Sequence, residues 1–165
     1  MKLGAKVKHL TLFPIGNEDW KKCITKVFEE KSKIIDEHII DKILEITKGF
    51  PYYTQQLCYE IWELTKKEAD ENIFNMALNK LLEQEREYFI AIWDNLTQNQ
   101  KKALKIILMT NGDNIYGDER AIGILKPSSL QTAIKKLIEK DILDKKERYY
   151  FQDPLFEYWL KGEIV

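Results

Sequence analysis

The segment Gly-Asp-Asn-Ile-Tyr-Gly-Asp-Glu at 112–119 has the glycine spacing of a phosphate-cradling loop. Such a loop needs a lysine and a hydroxyl directly after its second glycine, the lysine to hold phosphate and the hydroxyl to bind magnesium. Asp118 and Glu119 stand in those two places, and their carboxylates repel phosphate. The segment therefore reads as a turn and helix cap. No apolar strand ending in paired acids supplies a magnesium ligand or a water activator, so this chain on its own is not expected to be an enzyme. His9 and His38 are the only histidines, and neither has metal-ligand spacing with Cys23 or Cys58, so no metal is expected. The two cysteines form no C-x-x-C and fall at apolar helical positions, where buried, reduced thiols in a cytoplasmic protein are expected.

Residues suited to binding are concentrated near the C-terminus. Between Lys126 and Arg148 seven cations face four carboxylates, although the net charge of the whole chain is only -1. Ser129, Gln131, Thr132, Lys135 and Lys136 lie off the apolar stripe of a helix that begins near Ser128, and Lys126 precedes it. Lys145, Lys146 and Arg148 lie in a charged turn beyond that helix. These side chains suit phosphates and base edges of double-stranded DNA. The helix holds no arginine, the best reader of guanine, so weak, salt-sensitive contact with phosphates is the expected mode. A charged helix and turn of this kind also suit a protein partner.

The chain has 165 residues, 44% of them apolar, enough for one large domain or two small ones. No run approaches the ~20 apolar residues of a membrane span. Asn17 is the expected cap of a helix carrying Trp20, Cys23, Ile24, Val27 and Phe28 on one face. Asp36 is the expected cap of a second helix built on Ile39, Ile40, Ile43 and Leu44, which stops at Gly49. Pro51 then opens a third. From Tyr52 to Asn111 neither Gly nor Pro occurs, and helix is expected throughout. Thr97-Gln98-Asn99-Gln100 has the form of a capping box and marks a new start. Residues 1–96 are read as one domain, with 1–16 as a linker, and 97–165 as a second. In the second, a helix ends at Asn111-Gly112, a short one follows Asp118, and a third begins at Ser128 with Ser-Ser-Leu-Gln as its capping box. Leu143 and Tyr149-Tyr150-Phe151 then form a β-hairpin around Asp-Lys-Lys-Glu-Arg, and 155–160 folds back as a closing helix. The fold class is mainly α, a helical bundle followed by a winged helix-turn-helix domain with a small β-hairpin.

The helix after Pro51 has two faces. Tyr53, Leu57, Ile61 and Leu64 are the buried one, while Tyr52, Gln55, Gln56 and Tyr59 offer flat area with hydrogen-bonding tips. The second face suits either packing within the chain or a ligand. Gly-Phe-Pro-Tyr-Tyr-Thr-Gln-Gln-Leu at 49–57, Trp-Asp-Asn-Leu-Thr-Gln-Asn-Gln at 93–100 and Asp-Pro-Leu-Phe-Glu-Tyr-Trp-Leu at 153–160 together resemble the C-terminal half of archaeal and bacterial AAA+ type ATPases. These are P-loop proteins related to the STAND group and to the origin-recognition ATPases. The resemblance implies a helical lid domain followed by a winged helix. It also implies that Gly49, Pro51 and Tyr52 contact an adenine nucleotide, ATP or ADP with Mg, held by a P-loop ATPase core that this chain does not contain. The lid motif here lacks the arginine that ends the family's usual pattern. What the resemblance implies is thus a non-catalytic regulatory unit whose winged helix contacts DNA or protein. A stand-alone DNA-binding regulator and a protein-interaction module are the alternatives.

Overall fold

A computed structural model describes residues 15–164. Seven helices and four short strands follow in the order α1 (Asn17–Glu29), β1 (Ile34–Ile35), α2 (Glu37–Thr47), α3 (Pro51–Leu64), β2 (Glu68–Ala69), α4 (Glu71–Asp94), α5 (Gln98–Thr110), α6 (Pro127–Glu139), β3 (Leu143–Lys145), β4 (Tyr149–Phe151) and α7 (Pro154–Ile164). The mainly helical fold class with one antiparallel hairpin is as the periodicity predicts. No helix among the described residues is long and apolar enough to cross a membrane.

The first four helices pack through stripes of aliphatic side chains. Ile39, Ile40, Ile43 and Leu44 of α2 are buried, as are Tyr53, Leu57 and Ile61 of α3 and Phe74, Leu78 and Leu81 of α4. Between α2 and α3 the chain reverses in three residues. Lys48 and Gly49 both take left-handed backbone, at φ of 50° and 67°, and Pro51 occupies the first turn of α3, where its missing N–H costs nothing. The Thr47 and Thr54 hydroxyls meet at 2.8 Å inside this corner. One carboxylate, Glu60, is buried between α3 and α4 and is matched by Lys80 at 2.6 Å and Gln84 at 3.3 Å.

Several local expectations are corrected. Helix does not run unbroken from Tyr52 to Asn111. Thr65–Asp70 leaves it so that β2 pairs in parallel with β1, Ile34 opposite Glu68 and Ile35 opposite Ala69. Helix resumes because the Asp70 side chain accepts from the Ile73 N–H at 2.8 Å. Asn17 is the first residue of α1 rather than its cap, which is Gly16. Asp36 does cap α2, but through its backbone position alone. Of the α1 face only Trp20, Ile24 and Phe28 are buried; Cys23 and Val27 are exposed, because α1 meets its neighbours along a narrow edge. Residues 1–14 of the expected linker lie outside the described residues.

The C-terminal part is assembled on α5, whose start is the expected capping box. The Gln100 N–H donates to the Thr97 hydroxyl at 3.3 Å, and the Thr97 N–H donates to the Gln100 side chain at 2.8 Å. No short helix follows Asp118. The chain from 112 to 125 is a series of turns: the Asp118 carboxylate accepts from the Arg120 N–H and guanidinium at 2.6–2.9 Å as a cap would, but Gly123 turns left-handed at φ 86° and stops a helix from continuing. Nor does Ser128 cap α6. The helix starts one residue earlier at Pro127, and the Thr132 hydroxyl donates to the Ser128 carbonyl instead. β3 and β4 pair as expected, Leu143 opposite Phe151 and Lys145 opposite Tyr149.

Helix α7 closes the molecule by packing on α2, α4, α5 and β4. Leu155, Phe156 and Leu160 are fully buried, and Phe156 meets Phe89 of α4 at 5.5 Å and Phe151 of β4 at 6.3 Å between ring centroids. Each such side chain contributes about 1.5–3 kcal/mol through burial. Asp153 fixes the start of the helix. Its Oδ1 accepts from the N–H groups of Leu155 and Phe156, both at 2.9 Å, while its Oδ2 accepts the Tyr53 phenol at 2.7 Å.

At Gly112 the end of α5 is joined to β4. The Tyr149 N–H donates to the Gly112 carbonyl at 3.0 Å, the glycine has φ 74°, and a Cβ there would lie 1.8 Å from the Tyr149 carbonyl oxygen. Gly112→Ala is therefore expected to cost roughly 3 kcal/mol, the sum of left-handed strain and displaced backbone. Gly162 is helical with open space around it, so Gly162→Ala is expected to raise stability by about 0.5–1 kcal/mol. Urea unfolding of the two variants checks both signs, and a Gly112→Ala loss below ~1 kcal/mol would contradict the close-approach account.

Candidate nucleic-acid interface

The exposed side of α6 follows from its buried side. Leu130, Ala133, Ile134 and Leu137 point into the core, which leaves Gln131, Thr132, Lys135 and Lys136 exposed and Ser129 half-buried. The structure brings Ser129, Thr132 and Lys136 together with Thr97 and Asn99 of the α5 start, around a groove of about 580 Å³. Gln131 and Lys135 form a neighbouring i, i+4 pair on the helix, outside the groove. Lys126 sits at the N-cap position of α6 and is exposed. The groove has no aromatic ring; its floor takes in Ala133 and the carbon stems of its neighbours, with hydroxyl, amide and ammonium tips around it. Such a surface offers donors to phosphate oxygens.

Asn99, Ser128 and Lys140 also line this groove. They do not stand out as groove residues in sequence, because only the packing of α5 on α6 brings them beside Thr132. The one sequence signal that points to this edge is the Thr97 capping box, which fixes where α5 begins.

The wing is held open by its own polar contacts. The Tyr150 phenol donates to Asp144 at 2.8 Å, and the Lys145 N–H also bonds that carboxylate at 2.7 Å. The Lys145 amide first and the Tyr150 phenol second hold the Asp144 carboxyl below its usual range. The Lys145 and Lys146 ammonium groups lie 5.0 and 5.6 Å from the ring centres of Tyr149 and Tyr150. Of the seven cations between Lys126 and Arg148, Lys136 alone makes an ion pair among the described residues, with Glu139 at 2.8 Å. The other six make no ion pair among the described residues, although Lys140 donates to the Asn95 carbonyl at 3.3 Å.

Gly49, Pro51 and Tyr52 lie together at the α2–α3 corner. The Gly49 carbonyl accepts from the Trp20 indole at 3.3 Å, and a Cβ on Gly49 would lie 3.4 Å from that ring. Tyr52 is exposed and its phenol donates across to Glu85 of α4 at 3.2 Å; that carboxylate's charge raises the Tyr52 pKa. Tyr52 also packs edge-on against Tyr53 at 5.2 Å. Two other residues of that face of α3, Gln55 and Tyr59, join Cys23, Val27 and Trp62 around an apolar hollow of about 240 Å³ against α1, whereas Gln56 lies outside it.

The thiols do not both behave as buried cysteines. Cys58 is half-buried, and burial pushes its thiol up to about 12. Cys23 is exposed on the outer edge of α1, which corrects the expectation of burial. His38 is exposed at the start of α2, with its Nε2 2.6 Å from Glu71.

Comparison with known proteins accords with this geometry. Residues 87–162 match the family model of a probable winged helix domain. No curated protein and no solved structure matches the chain. The matched stretch takes in the last third of α4, both helices of the groove, the hairpin and most of α7. Winged helix domains commonly bind DNA or protein, and which of these applies is decided by the site rather than by the fold.

Proposed function

We propose that this chain is a DNA-contacting regulator, with α6 laid against the duplex backbone and the wing adding Lys145, Lys146 and Arg148. The observation that supports the reading is the near absence of ion pairing among the cations from Lys126 to Arg148. A lysine already matched by a carboxylate gains little from a phosphate, whereas a solvated one displaces a condensed counterion from DNA and draws entropy from its release. The hydroxyls of Ser129 and Thr132 fix register on phosphate oxygens without reading sequence. Sequence preference is small in this mode, since α6 carries no arginine.

The test is fluorescence anisotropy of a labelled duplex titrated with the chain at ~50 and ~200 mM salt. Binding is expected at the lower salt and should weaken steeply at the higher. Replacing Lys135 and Lys136 by alanine should lower the slope of log affinity against log salt by up to about two. Absence of binding at ~50 mM salt rules the reading out and leaves a protein partner for the winged helix.

A second reading follows from the resemblance to AAA+ lids. In it, Gly49, Pro51 and Tyr52 touch an adenine nucleotide held by a P-loop core, and the winged helix reports the state of that nucleotide. The observation favouring it is that Lys48 and Tyr53, the residues flanking this corner, are bonded to Glu157 and Asp153 at the start of α7. A contact at the corner thus has a direct mechanical path to the winged helix. Tyr52→Ala is expected to weaken nucleotide binding in an assembly with such a core, and unchanged nucleotide affinity there would sink this reading.

A further inference from the structure

The cleft between the end of α2 and the α7–β4 face differs in kind from the α6 groove. It measures about 550 Å³, inside the ~300–1,000 Å³ span of small-molecule sites. Tyr149, Tyr150 and Tyr158 all border it, over an apolar floor that includes Ile46 and Phe151. Among the described residues Tyr158 is half-exposed and makes no side-chain hydrogen bond, so its ring is free to pack against a guest. Flat phenol rings of this kind give contact area at small entropic cost.

Lys48, Arg148 and Lys161 line the cleft against Glu45 and Glu157, and these charges are unequally engaged. Glu157 is engaged on both oxygens, by Lys48 on Oε2 and by Lys161 on Oε1 at 2.7 Å. Burial pushes its carboxyl up, but the two lysines outweigh this and hold it below the usual range. Arg148, also on the rim, makes neither an ion pair nor a side-chain hydrogen bond among the described residues. Its guanidinium presents a planar fork of donors suited to a carboxylate or phosphate. An unengaged fork beside the exposed Tyr158 ring and the half-buried Tyr149, in a cleft of this size, has a definite complement.

We propose that this cleft binds a small organic anion with a flat aromatic body, the ring packed against Tyr149 and Tyr158 and the acid group held by Arg148. Arg148 also belongs to the wing, so a ligand that holds it withdraws one cation from the duplex. That consequence rests on the DNA-contacting reading; the site itself does not.

The experiment is a titration of the ¹⁵N-labelled chain, without DNA, followed by amide chemical shifts. The probes are 1-naphthoate, adenosine monophosphate, acetate and 1-naphthalenemethanol. Either aromatic anion should shift the amides around Tyr149 and Tyr158, with acetate (charge without ring) and naphthalenemethanol (ring without charge) at least tenfold weaker. Tighter binding of naphthoate marks a carboxylate site, and tighter binding of the nucleotide marks a phosphate site. Arg148→Ala should weaken the better probe about tenfold, and its amide spectrum shows directly that the fold is kept. Absence of shifts with both anions overturns the proposal. So do shifts centred on the α1–α3 hollow, or undiminished binding by Arg148→Ala. A failed titration here leaves the DNA reading intact, and lost duplex binding with a positive titration leaves this site intact.

Discussion

The Asp153 carboxylate ties the last helix of this molecule to the third. Asp153 gives one oxygen to the free N–H groups at the start of α7 and the other to the Tyr53 phenol of α3, so the last helix can begin only where the third helix places it. The orientation of α7 then sets the rest. Phe156 and Trp159 reach Phe89 of α4, and Phe151 brings β4 and the wing against the same cluster. Burial and the bond to Asp153 push the Tyr53 phenol well above the ordinary tyrosine range, so it remains a donor throughout the physiological pH range. Without this joint the aromatic cluster still attracts α7, and only the exposed Lys48 ammonium on Glu157 is left to hold its start near α3.

The division of labour among charged residues follows from that scaffold. Lysines that build the fold are matched: Lys80 to buried Glu60, Lys48 to Glu157, and Lys21 to Glu37 and Asp41. Those on α6 and the wing are largely unmatched, which forgoes little stability, because an exposed ion pair contributes only about 0–1 kcal/mol. On the DNA-contacting reading proposed above, an unmatched lysine keeps its counterion release for the duplex. Gly112 serves the same end from the backbone. By admitting Tyr149 at van der Waals limits it fixes the wing against the end of α5, and so places the wing cations relative to α6.

What the sequence makes legible is what local chemistry decides. The Thr97 capping box, the reversal at Gly49 and Pro51, the apolar stripes of α2, α3 and α6 and the hairpin around Lys145 and Lys146 each depend on residues a few positions apart, and the structure has them. Failures occur where distance or competition decides. The β1–β2 pair is two residues long and joins positions 34 apart, too little for any period to show. The Ser128 box loses to Pro127, which sets the helix start one residue earlier. The helix expected after Asp118 is cut short where Gly123 turns left-handed. Cys23 lies on an apolar period that α1 does not fully bury. Of the DNA-facing candidates, their exposure was readable from the wheel of α6, but the groove that unites Thr132 and Lys136 with Asn99 exists only in the packed molecule.

Native-state amide exchange on the intact chain and on Asp153→Ala tests the Asp153 joint most directly. If Asp153 makes one cooperative body of the two halves, the slowest amides of α3 and α7 in the intact chain open with the same free energy. In Asp153→Ala the α7 amides should then open before those of α3, at roughly 2 kcal/mol less protection. Separate opening of the two helices in the intact chain, or an α7 indifferent to the substitution, would contradict the account.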